Sequence, residues 1–437
     1  MIIKEIKLIA VKNMLQVSFI REHKEKVLDG LLKKNFKNPI EILDKVLATD
    51  EQRRTYQVAR DQVLAKSNQL SKEIGNLMKQ GKKEEAEKIK LESKALGEEA
   101  KSLEEKVAHL EAELTKLLYQ IPNVPHERVP QGKSAEDNVV VLTGGKMPEL
   151  HAGAVPHWEL IVKYDIIDFE TGNKVTGAGF PFYKGKGARL QRALINFFLD
   201  EATKAGYQEI QAPHMVNEAS GYGTGQLPDK EGQMYHVTAD NLFLIPTAEV
   251  PLTNMYRDMI LRKEDLPVRI AGYTPCFRRE AGSWGAEVRG LNRLHQFDKV
   301  EIVQLQIPEK SYEAHEEMTA HVRGLLEKLE LPYRQLLLCG GDMSFNAALC
   351  YDMEVFSAAQ KRWLEVSSIS NFETFQANRL KLRYNDENNK KQLLHTLNGS
   401  ALALPRIVAA ILENNQTPEG IKIPKVLQPY CGFEMIS

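Results

Sequence analysis

Between Phe277 and Glu301 the chain reads FRREAGSWGAEVRGLNRLHQFDKVE. Arg278, Arg279 and Glu280 come first, Gly282, Gly285 and Gly290 break the middle, and His295, Phe297, Lys299 and Glu301 close it. The flanking runs GYTPCFRRE and LHQFDKVEIV carry the β-branched and aromatic residues of strands, so the segment is expected to be two strands joined by a glycine-containing loop. Strand alternation puts His295, Phe297, Lys299 and Glu301 on one face. An aromatic ring there can stack on a base, and a carboxylate can hold an ammonium or a hydroxyl. Arg278 on the partner strand supplies a planar, permanently charged fork suited to phosphate. Together they would floor a site for a nucleotide and a small molecule, although a solvated charged strand contains the same residue types.

Two later segments add to this chemistry. In KRWLEVSSISNFETFQANRLKLRY, Glu365 and Ser368 stand at strand-like spacing. A carboxylate with a hydroxyl can hold Mg²⁺ when a substrate supplies phosphate oxygens. In LNGSALALPRIVAAILENNQ, a polar turn (Asn398, Gly399, Ser400) is expected to lead into an amphipathic helix carrying Arg406.

Composition narrows the classes. Charged residues make up 27% and apolar ones 43% of 437 residues, the balance of a globular chain large enough for two domains. A net charge of −1 argues against indiscriminate coating of nucleic acid. Cys276, Cys339, Cys350 and Cys431 form no CxxC or CxH pair, so no zinc is expected and reduced cytosolic thiols are. No apolar run reaches the ~20 residues of a membrane span. The start, MIIKEIKLIAVKN, is a poor signal peptide, and the expected location is cytoplasmic.

These residues need elements to position them. Val63, Ser67, Leu70, Ile74 and Leu77 step by four and three, as do Leu96, Ala100, Leu103, Val107, Leu110, Leu114 and Leu117. Two such stripes joined by the polar turn around Gly81 predict an antiparallel helical hairpin, with helices of roughly 28 and 34 residues extending about 40–50 Å. From periodicity alone, an oligomerisation coiled coil is an equal reading. IPNVPHERVPQGKSAEDN, with Pro122, Pro125 and Pro130, reads as a linker. Beyond it, short strands alternate with helices such as ARLQRALINFFLDEATKAG, predicting an α+β domain on a largely antiparallel sheet.

Several long segments, in order, resemble bacterial-type seryl-tRNA synthetases, class II aminoacyl-tRNA synthetases, over nearly the whole chain. AGYQEIQAPHMV resembles motif 1 of that class, FRREAGSWGAEVRGLNRLHQFDKVE motif 2, NGSALALPRIVAAILEN motif 3, and IPTAEVPLTN the serine-binding loop. The resemblance implies a tRNA-binding domain with a coiled-coil arm over residues 1–120, and over 121–437 a class II catalytic domain built on an antiparallel sheet flanked by helices. It implies ATP-dependent activation of serine to seryl-adenylate and transfer to tRNA(Ser), with tRNA(Sec) a further candidate acceptor. Thr247, Ala248, Glu249, Asn398, Ser400 and Glu301 would line the serine site. Arg278 would hold the substrate carboxylate and α-phosphate, and Arg279 would contact ATP. Glu280 would face the adenine, Phe297 stack on it, and Arg406 clamp the terminal phosphate. Glu365 and Ser368 would hold Mg²⁺ with ATP, with Val366 and Ser367 beside them. Pro213 in motif 1 would lie at a homodimer interface. Ala401 and Ala403 replace glycines usual in motif 3, and residues before Met14 would be an extension or a misplaced start. An activating homologue that loads a carrier protein would lack the arm; an inactive RNA-binding paralogue would not keep every charged position.

Overall fold

The computed structural model describes residues 15–229, 231–280 and 289–437. Residues before Met14, and Gly282 and Gly285 of the expected glycine loop, lie outside the described residues. The chain forms two compact units, Met1–Leu32 with Phe36–Pro122, and Lys33–Asn35 with Asn123–Ser437.

The first unit is dominated by two helices, α1 (Pro39–Lys79) and α2 (Lys83–Leu118), which pack along each other. Pro39 opens α1, where its missing N–H costs nothing. Gly81, with φ +77°, makes the turn between the helices. The predicted stripe is the seam: Ala100, Val107, Leu110 and Leu114 are buried, and Val63, Leu70, Ile74 and Leu77 are half-buried. Both helices exceed the predicted lengths, at 41 and 36 residues. The early turns of α1 do not follow the seam pattern because Leu43 and Val46 are buried where α1 meets the short helix Val17–Glu22. There Asp50, almost fully buried, is held by Arg21 (2.9 Å), Arg53 (2.8 Å) and Arg54 (3.2 Å).

The second unit is built on eight strands: β1 (Val139–Gly144), β2 (Gln208–Glu209), β3 (Val268–Phe277), β4 (Gln296–Gln306), β5 (Tyr333–Leu337), β6 (Leu349–Ser357), β7 (Arg362–Asn371) and β8 (His395–Ala403). Their order is β1-β5-β6-β7-β8-β4-β3-β2, antiparallel throughout except for the β2–β3 pair. Helices α3 (Gly185–Lys204), α5 (Ser311–Lys328) and α7 (Leu404–Asn414) bury Leu194, Phe197, Phe198, Met318, Val322, Ile407 and Ile411 in one core with Val300, Ile302, Met353 and Leu397 of the sheet. Across β4 the alternate residues face the other way, toward the short helix α4 (Glu249–Asn254), where Ala248 and Leu252 pack on Ile270 and Val303. A further short helix, α6 (Thr374–Arg379), follows β7.

Two expectations are corrected. Asn398, Gly399 and Ser400 lie inside β8, not in a turn. Gly399 lets β7 and β8 approach, since a Cβ there would stand 3.1 Å from the Ile369 side chain, and the two polar neighbours face the site instead of the core. The segment read as a linker begins packed on this unit. Asn123 Nδ2 donates to the Asn346 (3.0 Å) and Phe372 (2.9 Å) carbonyls, the His126 N–H donates to the Ala348 carbonyl, and Val129 is buried. Its prolines lack an N–H to satisfy, and neighbouring N–H groups find partners on the sheet. No helix among the described residues is long and apolar enough to cross a membrane.

Candidate active site

Strand register assembles the floor. Across β3–β4, Cys276 pairs with Phe297, Thr274 with Lys299 and Gly272 with Glu301; across β4–β8, Glu301 pairs with Ser400 and Val303 with Asn398. Directly opposed residues share a face, so Phe297, Lys299, Glu301, Ser400 and Asn398 form one surface. Arg278 continues the ladder through its N–H to the His295 carbonyl and lays its guanidinium 5.2 Å from the Phe297 ring centroid, while its Nε donates to the Pro246 carbonyl (3.3 Å). Arg279, one residue on, is exposed and does not join this floor.

At one end is a buried polar pocket. Glu301 is 2% exposed, Lys299 5% and Glu249 7%. The Lys299 ammonium donates to Thr247 Oγ1 (3.0 Å) and Ser400 Oγ (3.0 Å) and pairs with Glu301 Oε2. Glu249, at the start of α4, has neutral direct partners among the described residues: Gln376 Nε2 (2.6 Å), Gln226 Nε2 (3.4 Å) and the Asn398 side chain. Burial, and then the charge of Glu301, push its carboxyl up to about 7. Gln376 is itself oriented by Thr396 Oγ1, which donates to its Oε1 (2.7 Å). Ala248 is fully buried in apolar contact and turns no side chain into the pocket.

The other end is rich in arginine. Arg406, 28% exposed, donates from Nε to the Asn292 carbonyl (3.0 Å) and from NH1 to the Glu365 carbonyl (2.8 Å). Burial lowers its pKa most; Arg293 and Arg278 lower it further, against Glu365 and Glu280. Arg293 also donates to Glu280 Oε2 (2.9 Å), and Glu280 itself takes φ +48° where the chain leaves the floor. With Arg293 and Arg278 both in electrostatic reach of Arg406, this end suits a polyanion.

Glu365 and Ser368 are three residues apart, which in a regular strand would set them on opposite faces. In β7, Glu365 pairs with Glu354 and Ser367 with Met353, so Val366 is an extra residue and the bulge returns both to one face. Val366 goes into the apolar core, and Ser367 donates to the Ser400 carbonyl (2.5 Å), so neither side chain reaches the site surface. Beside Ser368, paired across the strands, stands Asp352, whose carboxyl is pushed well up by burial and then by the charge of Glu365. Two adjacent carboxylates and a hydroxyl are hard oxygen donors short of positive charge, which fits Mg²⁺. They number too few to cage a metal alone, and among the described residues no group of three or more His, Cys, Asp or Glu does so.

Residues 14–125 match the family "Seryl-tRNA synthetase N-terminal domain", and residues 235–415 match "tRNA synthetase class II core domain (G, H, P, S and T)". The serine–tRNA ligase of Salinibacter ruber is 52% identical over 425 residues, covering 97% of this chain and 99% of that protein. This chain belongs to the seryl-tRNA synthetase family. The serine–tRNA ligase of Prosthecochloris aestuarii is 47% identical with the same coverage. The seryl-tRNA synthetase of Pyrococcus horikoshii, solved in complex with ATP, superimposes with a TM-score of 0.90 at 34% identity over 97% of this chain and 99% of that one.

In this class II synthetase the structure brings together Thr247, Glu249, Arg278, Phe297, Glu301, Asn398 and Ser400 at the floor and pocket, and Glu280, Glu365, Ser368 and Arg406 at the arginine-rich end. Arg279, Val366, Ser367 and the Ala248 side chain stand apart. Sequence reading gave no role to Lys299, Gln226, Gln376, Arg293 or Asp352. Lys299 was signalled by its alternation with Phe297 and Glu301; the two glutamines lie on separate segments and carried no signal.

Proposed function

We propose that this synthetase activates L-serine with ATP to seryl-adenylate and transfers the seryl group to tRNA(Ser). The observation that carries the reading is the buried pocket in which Glu249, Glu301, Thr247, Asn398 and Ser400 converge beside the arginine-rich end. A pocket of hydrogen-bonding groups this deep suits a small hydroxylated zwitterion, and the ATP-bound relative supports nucleotide at the arginines. The serine carboxylate, held by Arg278, attacks the α-phosphorus. One P–O bond forms as the bond to the leaving pyrophosphate breaks. Carboxylate is already a competent nucleophile, so the residues supply position and charge stabilisation, with no general base. Arg406 and Arg293 take up the phosphate charge, and Phe297 offers a stacking face beside Arg278. Mg²⁺ held by Glu365 and Ser368, with Asp352 behind them, would supply further charge neutralisation on the phosphates. A ribose hydroxyl of the terminal adenosine then attacks the acyl carbon and AMP leaves.

Pyrophosphate exchange across all amino acids tests the reading: serine alone should support it, and a preference for another amino acid sinks it. Glu301→Ala should lower serine exchange by at least a hundredfold in a folded protein. Charging of tRNA(Ser) and tRNA(Sec) transcripts then tests the acceptors. We also infer a homodimer, supported by exposed Pro213 and Met215 beside the edge strand β2; sedimentation showing a fully active monomer overturns it. Four free, buried cysteines support a reducing, cytoplasmic setting.

A further inference from the structure

Two carboxylates share the pocket, yet a serine zwitterion brings only one ammonium. Their surroundings differ in one respect. The Lys299 ammonium pairs with Glu301 and uses its remaining donors on Thr247 Oγ1 and Ser400 Oγ, both at 3.0 Å. Its contacts are thus the groups that would surround a substrate hydroxyl. Among the described residues, the side-chain carboxyl of Glu249 is bonded to the amides of Gln376, Gln226 and Asn398. Glu249, Glu301 and Lys299 together leave one uncompensated negative charge, which a substrate ammonium neutralises while its carboxylate goes to Arg278.

We propose that Lys299 is a specificity-determining residue: as the standing counter-ion of Glu301, it reserves Glu249 for the substrate ammonium and makes Glu301, Ser400 and Thr247 a hydroxyl-reading end. This rests on the serine reading above. Without Lys299 the pocket holds two uncompensated carboxylates, and the ammonium can dock at either. Docked at Glu301 it takes the carboxylate from the hydroxyl and misdirects the substrate carboxylate away from the α-phosphorus. The raised carboxyl of Glu249 is consistent with this division, since no bonded cation stabilises its charge. The part played by Lys299 is electrostatic, so removing both charges of the pair should be less harmful than removing one.

The test measures serine- and alanine-dependent pyrophosphate exchange in the wild type, in Lys299→Met, and in Lys299→Met combined with Glu301→Gln. A site that bonds a substrate hydroxyl discriminates by about 10⁴ against the analogue that lacks it. The wild-type ratio of kcat/KM for serine over alanine should be of that order. In Lys299→Met it should fall at least a hundredfold, because serine loses far more than alanine, while the KM for ATP stays within about threefold. A merely structural role would depress both amino acids and ATP alike. The double variant carries no more uncompensated buried charge than the wild type and keeps an amide to meet the hydroxyl, so it also serves if the single variant does not fold; its ratio should exceed that of Lys299→Met by at least tenfold. An undiminished ratio in Lys299→Met, or a double variant that has lost its ratio, overturns the proposal. A wild type that prefers another amino acid overturns the serine reading itself.

Discussion

Burial takes the Glu249 carboxyl out of water, Glu301 adds repulsion, and bonds from Gln376 and Asn398 and the charge of Lys299 only partly oppose this, leaving it at about 7. The folded-state pKa is raised above the unfolded value near 4.5, so the stabilising contribution is complete below about 4.5 and is lost as pH rises through about 7. The difference corresponds to about 3 kcal/mol in the unliganded protein. Urea unfolding of wild type and Glu249→Gln at pH 5 and pH 8 should show the variant gaining relative stability at the higher pH. Catalysis runs the other way, because the ammonium needs an ionised partner: KM for serine should rise as pH falls below about 7. A pH-independent KM between 6 and 8 would remove Glu249 from the ammonium site. Arg278→Lys probes the neighbouring end. It keeps the charge but loses the planar fork that lies on Phe297, and kcat should drop at least tenfold with little change in stability.

At the scale of elements, the turn after the glycine loop is built with little tolerance. His157 Nδ1 donates to Glu413 Oε1 (2.7 Å), and Glu413 also accepts from Ser357 Oγ and Gln360 Nε2 (2.9 Å). His157 Nε2 is thereby left to accept the Leu291 N–H (2.9 Å), which pins the turn Gly290–Asn292, and the Asn292 carbonyl in turn receives Arg406 Nε. Gly290 has φ +64°, and a Cβ there would stand 2.3 Å from His157 Nε2. Gly290→Ala should therefore cost about 1–3 kcal/mol. It should also raise the KM for ATP several-fold by displacing Arg406; thermal denaturation and ATP titration of exchange check both. Elements like these mark the limit of legibility. The β3–β4 pair, with Phe297, Lys299 and Glu301 on one face, was readable because alternation is a local property. The bulge that puts Glu365 and Ser368 together is set by pairing with β6, and Asn398–Ser400 read as a turn because local composition does not show that Gly399 sits against Ile369. The anchoring of Asn123 and the Gln376–Glu249 bond join segments far apart in the chain, and no local pattern encodes them.

The chain forms two compact units, and under the proposed function they divide the labour, a division that the hairpin tests. Periodicity gave its seam but left two readings open, oligomerisation or tRNA recognition. The Lys66–Glu92 pair (2.9 Å) locates a rung at which the hairpin can be shortened without staggering its helices. Beyond this rung only Ala86 is fully buried, so residues 67–91 add little to the base, where Leu43, Val46, Leu110, Leu114 and Leu118 are packed. Of the lysines in this distal part, Lys82 pairs with Glu85 (3.3 Å), whereas Lys72, Lys79 and Lys83 make no ion pair among the described residues. Solvated lysines on a stiff arm suit phosphate contacts, which position a folded RNA without reading its bases. Replacing residues 67–91 with a short Gly/Ser connector should leave serine-dependent pyrophosphate exchange within about twofold of wild type. Charging of tRNA(Ser) should fall at least a hundredfold, and the combined Lys72, Lys79 and Lys83 to Ala variant should fall part of the way, with a weaker salt dependence. If charging survives the shortened arm, the hairpin does not read the acceptor. If exchange is lost in a protein that still melts cooperatively, activation depends on the arm and the two units are not independent.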